Sequence, residues 1–358
     1  VPRIPSTSRD SSIDIAKGFA IVAIVFGHVW LGLEAAGLIQ DLHTFNVVYD
    51  TVYMSHLSVF AFTAGLFVQR GMRRVGPWKY ALDRDLTFLW LYLLWTAVQG
   101  GVKLAASSVV NSPTSLESVL KIWTPDAQLW FFGWIALMMV FTALVRPWDS
   151  PARRAAALLI AGTGSLAMWG LGGSILGTQG LALTIFFVVA TIWRGERFLA
   201  FAAARSRWTL IAAAVLGLGT MVVLGVSGLA TPPTLDGESR TVVSVVLGTV
   251  ASTGGVVGIL ATSKLVAGMP GAAWLSSLGA KSMVIFVAHI VFTSGTRIVL
   301  NVAGVENLVL QAGAGTAVGV LGPVALGTLA PKLKLGWLFE LPRQLDPAMV
   351  RSRKVLQP

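Results

Sequence analysis

The chain has 358 residues, 55% of them apolar and 12% charged, with a net charge of +11, a mean hydropathy of +0.74 and no cysteine. Soluble domains carry about 25% charged residues and cannot bury so much apolar surface in one core, so this composition excludes a water-soluble fold and points to helices solvated by a bilayer. Without cysteine there are no disulfides or thiolate metal sites, and the positive charge reads as basic loops beside membrane spans rather than a nucleic-acid surface.

A spanning helix needs roughly 20 mostly apolar residues. Ten runs fit: Ile13–Leu33, Val47–Gln69, Leu86–Ala106, Leu129–Val145, Ala155–Leu171, Gly177–Trp193, Leu210–Ala230, Val242–Ala261, Leu278–Leu300 and Leu308–Leu329. The fifth is short and Gly-rich. The first contains Asp14, Lys17 and His28, which argues for a retained helix rather than a cleaved signal peptide. An all-α polytopic membrane protein of about ten spans is therefore expected.

The loops alternate in charge. Arg3 and Arg9 precede the first run; Arg70, Arg73, Arg74, Lys79 and Arg84 follow the second. Arg146, Arg153 and Arg154, then Arg194, Arg197, Arg205 and Arg207, then Lys264 and Lys281 continue the basic set, which ends in a tail holding Lys332, Lys334, Arg343, Arg351, Arg353 and Lys354. The intervening loops hold Glu34, Asp41, Glu117, Asp126, Asp236, Glu238 and Glu306. The positive-inside rule puts the basic set, and with it both termini, in the cytoplasm of a multi-pass inner or plasma membrane protein. Residues 1–340 read as one transmembrane domain and 341–358 as a short basic cytoplasmic tail. The loop Ser107–Gln128, with Pro113 and Pro125, is expected to cap the external face. Gly254/Gly258 and Gly315/Gly319 are spaced for close helix contact.

Ionisable side chains inside a bilayer are costly and are functional candidates by default. Lys17 and His28 are close to three helical turns apart, on one face and about 16 Å from each other. Asp14, one turn before Lys17, is placed to pair with it. His56 opens the second half of the second run, and His289 is followed two turns later by Arg297. The remaining histidine, His43, falls in a loop and is expected to be solvated. No His-x3-His, HExxH, GxSxG, Walker A or dinucleotide pattern is present, so no metal is expected and the available chemistry is proton transfer or nucleophilic attack by histidine.

At these residues the sequence resembles membrane acyltransferases of the acyltransferase-3 type. Asp14-x-x-Lys17-Gly18 followed by Gly27-His28 is similar to the first-helix signature, a basic residue, ten residues, then His. His56 through Gly65 resembles the second-helix run H-M-P-L-F-F-F-I-S-G of the branch related to fucose 4-O-acetylases, with Leu57 and Ser58 replacing the usual Met and Pro. Arg84 resembles the arginine before the third helix, Leu129-Trp130-Phe131-Phe132 the LWFL start of the fourth, and Leu278 through His289 the run L-G-x-N-S-L-x-I-Y-L-x-H, with Phe286 for the usual Tyr.

The resemblance implies transfer of an acyl group, usually acetyl, from cytoplasmic acyl-CoA to sugar hydroxyls outside. Members act on surface polysaccharides, lipopolysaccharide, glycolipids and trehalose mycolates. Physical chemistry fits that implication with a catalytic group of His28, His56, His289 and Arg297: His28 can act as base or acyl carrier, and Arg297 and His289 are the external-half candidates to stabilise the oxyanion. Acetyl-CoA would be held at Asp14, Lys17, Arg73, Arg74, Arg84 and Lys281, where cations meet its phosphates. The expected partners are membrane lipids and a carbohydrate or glycolipid acceptor; the oligomeric state is not legible. A proton-coupled transporter or lipid flippase stays open as an alternative, since embedded His, Asp and Arg also build proton relays, as does a non-catalytic membrane scaffold.

Overall fold

The computed structural model describes residues 10–106, 115–173, 175–237, 240–342 and 344–345, and among them there is no β-strand. The basic residues Arg3, Arg9, Arg343, Arg351, Arg353 and Lys354, together with Glu238, lie outside the described residues. Fifteen α-helices follow in chain order: α1 (Ser12–Glu34), α2 (Leu42–Tyr53), α3 (His56–Gly65), α4 (Val68–Val75), α5 (Pro77–Ala105), α6 (Leu116–Leu120), α7 (Trp130–Val145), α8 (Pro151–Met168), α9 (Thr184–Trp193), α10 (Gly195–Ala203), α11 (Arg207–Val226), α12 (Val242–Val266), α13 (Ala272–Ala280), α14 (Ser282–Val302) and α15 (Leu308–Leu329).

Eight helical stretches are long and apolar enough to cross a membrane among the described residues, fewer than the ten runs read from the sequence. The two others exist as helices that fall short of that measure. α8 carries Arg153 and Arg154 in its first turn, and the apolar stretch Leu181–Trp193 is too short. The second expected run is not one helix either. It is divided into α2, α3 and α4, with a break at Met54 and Ser55.

That break forms without a proline because its carbonyls find other partners. The His56 ring takes the Val52 carbonyl at 2.5 Å, and the Ser252 hydroxyl of α12 donates to the Met54 carbonyl. A broken helix is tolerated in a membrane where side chains satisfy the freed backbone in this way.

Helix α1 is the central element, packed by α2, α3, α12, α13, α14 and α15. Its approach to α13 depends on two glycines from the sequence motifs. Gly18 abuts the Leu275 backbone, and Gly279 abuts the backbone of Asp14 and Gly18, so a Cβ at either position meets main chain. The Gly254/Gly258 pair does what its spacing predicts: Gly217 of α11 packs directly on the backbone of both residues. Gly315 and Gly319 bring α15 against Val29 and Val25 of α1.

Contacts between distant segments define the two ends of the bundle. Lys264 at the end of α12 pairs with Asp10 before α1 at 2.6 Å, and Arg70 of α4 lies 3.5 Å from Glu196 of α10. Burial opposes ionisation of Asp10, but hydrogen bonds from Lys264 and Ser12 outweigh it and hold the carboxyl below its ordinary value. Basic loops from different parts of the chain thus meet at one end. At the other end Lys103 pairs with Asp126 at 2.5 Å, Arg240 donates to the Trp169 and Ala167 carbonyls, and Gln179 donates to the Thr234 carbonyl at 3.1 Å. Residues 115–128, the described part of the expected cap, lie here: Trp123 accepts from the Leu176 backbone, and Ile122 accepts from the Tyr92 hydroxyl. After α15 the chain returns along α5, where Trp90 and Trp95 donate to the carbonyls of Trp337 and Leu338.

Candidate active site

The site is built on two helices that run in the same direction. Lys17 of α1 and Ser282 of α14 line one cavity near their starts; further along, His28 and His289 face each other with ring centroids 5.1 Å apart; beyond these, Arg297 of α14 donates to the Gly32 carbonyl of α1 at 3.1 Å. Three of the residues read as candidates from the sequence, His28, His289 and Arg297, therefore form one column between α1 and α14.

His56 joins them from α3, where the helix break turns its side chain inward. It is buried, and its ring meets Tyr53 edge-on at 4.7 Å; Tyr53 in turn lies 4.4 Å from Tyr49. Gly27, the neighbour of His28, has no side chain where the Tyr53 ring rests against α1. Larger residues at that position would push α2 off the site.

The hydrogen bonds determine how the imidazoles present themselves. A carbonyl oxygen only accepts, so the nitrogen facing it carries the proton. Nδ1 of His56 faces the Val52 carbonyl, and Nδ1 of His289 faces the Phe286 carbonyl at 2.8 Å and that of Ile285 at 3.1 Å. Each ring therefore keeps its Nε2 lone pair for another partner. Nε2 of His289 is buried and has no hydrogen-bond partner among the described residues.

Three cavities stand in series along this column. The first, about 370 Å³, is lined by Lys17, Arg84 and Tyr80 beside aromatic residues that include Phe60, Phe131 and Phe286. Lys17 is paired with Asp14 at 2.7 Å, the i,i+3 pair expected from the sequence, and the Arg84 guanidinium lies 5.4 Å from the centre of the Tyr80 ring. The second, about 150 Å³, holds His28, His56, Tyr49, Tyr53, Gln128 and again Phe286. The third, about 520 Å³, holds His28, Gln99, Lys103 and Arg297. Phe286 is common to the first two and His28 to the last two.

The remaining candidates are placed less closely. Arg73, Arg74 and Lys281 are exposed at the basic end and lie outside the lining of the Lys17 cavity. His43 is exposed, as expected. Among the described residues no group of three His, Asp or Glu side chains is placed to hold a metal ion.

The sequence reading missed Tyr49, Gln99, Gln128 and the dividing position of Phe286. A polar amide in an apolar run was a usable signal for Gln99. Tyr49 and Tyr53, one turn apart before His56, were another.

This fold and site define a polytopic helical membrane protein with a buried histidine cluster between two ends of different charge. Residues 10–328 match the acyltransferase-3 family model, described as an acyltransferase domain, and the chain belongs to that family. It is a membrane acyltransferase. No curated protein and no solved structure matches it.

Proposed function

We propose that the protein is a membrane O-acyltransferase of the fucose acetylase-related branch, which takes an acetyl group from cytoplasmic acetyl-CoA to a hydroxyl of an extracytoplasmic glycan or glycolipid. The observation that carries this reading is the position of His28. It lines both inner cavities, faces His289 at 5.1 Å and lies on the same helix as Lys17, which lines the cavity at the basic end.

The chemistry follows from that arrangement. Lys17 and Arg84 offer cations to the donor's phosphates, and the aromatic lining offers an apolar channel to its pantetheine arm. The acceptor enters the third cavity from the opposite end. Its hydroxyl attacks the thioester carbonyl; the C–O bond forms, the C–S bond breaks, and the hydroxyl proton passes through an imidazole to the departing thiolate. A sugar hydroxyl ionises far above neutral pH and needs that base. His28 is the residue to supply it, directly or by carrying the acyl group between the two substrates. His56 and His289 orient the reactants, and Arg297 stabilises charge that develops on the outer side.

The test is thiol release and acyl-product formation by the purified protein with acetyl-CoA and sugar acceptors. Thiol release that depends on acceptor and on His28 is the expected result. Failure to consume acetyl-CoA, combined with an unchanged O-acyl profile in all envelope fractions of a deletion strain, rejects the reading.

A further inference from the structure

Gln99 of α5 and Gln128, two residues before α7, are only 2% and 3% exposed. Both turn their amide nitrogen to the same stretch of α14. Nε2 of Gln99 donates to the Val287 carbonyl at 3.1 Å; Nε2 of Gln128 donates to the Phe286 carbonyl at 3.1 Å and lies 3.4 Å from that of Val287. Because a carbonyl cannot donate, these contacts fix which end of each amide is nitrogen. The oxygen of each amide must then point elsewhere, and both Oε1 atoms are buried without a partner among the described residues.

Nε2 of His289, whose Nδ1 is committed to backbone carbonyls, is also buried without a partner among the described residues, and so is Nε of Arg297, a donor that lines the large cavity with Gln99. Three of these atoms are acceptors that lack a donor, and one is a donor that lacks an acceptor. Leaving buried polar atoms unpaired is costly, so native proteins satisfy them with water or ligand. Gln128 lines the small cavity and Gln99 the large one, with His28 common to both. A group that both donates and accepts, as a hydroxyl does, answers this set, whereas a carboxylate or phosphate would meet Arg297 and leave the three acceptors unpaired.

We infer that Gln99 and Gln128 are acceptor-recognition residues whose Oε1 atoms receive hydrogen bonds from two hydroxyls neighbouring the one acylated. This rests on the acyl-transfer reading and narrows it: the acceptor presents a neutral, hydroxyl-rich face at the reacting centre. Specificity at these two residues resides in hydroxyls that donate, since a glutamine Oε1 only accepts.

The test uses octyl β-D-glucopyranoside as acceptor with acetyl-CoA as donor, and analogues in which one hydroxyl at a time is replaced by hydrogen or by fluorine. A site built to hydrogen-bond a hydroxyl rejects an analogue that lacks it, and a loss of about 10-fold or more in kcat/KM is expected at the recognised positions. Fluorine does not donate, so the fluoro analogue is expected to be as poor as the deoxy one. Gln99→Met and Gln128→Met should each erase one of these penalties. If the glutamines only brace α14, the variants slow the parent acceptor and its analogues alike and leave every penalty intact, which overturns the inference. Should the variants fail to fold, wild-type protein alone still decides: equal turnover of the parent and all single-position analogues overturns it. Wild-type protein that releases no thiol from acetyl-CoA with any acceptor defeats instead the acyl-transfer reading on which the inference rests.

Discussion

His28 and His289 lie on helices that run in the same direction, with ring centroids 5.1 Å apart, and His289 has its Nδ1 tied to its own helix while its Nε2 is left without a partner. The two rings stand in unequal surroundings. His289 is held in orientation by backbone carbonyls, whereas His28 lines both inner cavities.

His28→Ala is expected to lower acyl transfer by about 100-fold or more, the usual contribution of a positioned general base. His56→Ala and His289→Ala should cost less. Turnover of purified protein, normalised to the folded fraction, is the measurement. Near wild-type turnover in His28→Ala rejects the mechanism even with the family membership intact.

Donor docking makes a separate prediction. Lys17 and Arg84 line the cavity at the basic end, whereas Arg73, Arg74 and Lys281 are exposed outside it. Removing Lys17 and Arg84 together should raise the donor KM by roughly 10-fold, the loss of one or two charge-assisted contacts. Single alanines at Arg73, Arg74 or Lys281 should act weakly and in a salt-dependent way, as exposed charges do. Unchanged donor binding in the double variant sinks the assignment.

Phe286 lines both the Lys17 cavity and the His28 cavity. Phe286→Leu keeps an apolar side chain but removes part of the ring. Acetyl-CoA hydrolysis should then rise relative to acyl transfer by several-fold, because a smaller side chain leaves room for water beside the thioester where the two cavities meet. Mass-spectrometric partition of acetate against acylated acceptor measures the ratio, and a constant ratio would show that the ring does not separate the two spaces.

Cysteine labelling tests the orientation. Arg73 and Arg205 are exposed among the basic loops, and Asp41 and Glu306 are exposed in loops of the other set. Cysteines at the first two should react only from the cytoplasm and those at the second two only from outside. Mixed labelling within either pair breaks the arrangement.

Close packing of α11 on α12 rests on Gly217, which touches the backbone of Gly254 and Gly258. Gly217→Leu should destabilise the detergent-solubilised protein by about 1–3 kcal/mol, the usual cost of forcing atoms into a filled interface. An unchanged thermal midpoint would show that these helices separate without cost.

Much of the frame was legible because it rests on local spacing. The Asp14–Lys17 pair, the small-residue contact of α12 and the meeting of basic loops all follow from helical period or charge alternation. Other features depend on partners far along the chain. The break before His56 survives without proline because Ser252 takes the Met54 carbonyl, and Arg297 is anchored by Gly32. Gln99 and Gln128 have no spacing that marks them as a pair; only the fold brings both to the carbonyls of residues 286 and 287. The expected spans over residues 155–171 and 177–193 are present as a helix with a basic first turn and a short helical stretch, a distinction that average hydropathy over a run conceals.

The serial cavities give the Phe286 ring a duty toward the cell as well as toward the substrate. A continuous aqueous thread from the Lys17 end to the Arg297 end would be a conduit for ions, and every catalytic opening would then discharge part of the electrochemical gradient across the bilayer. A bulky apolar ring that lines both the first and the second cavity is placed to interrupt such a thread. Replacing it by glycine should therefore make proteoliposomes leak protons in the absence of any donor or acceptor.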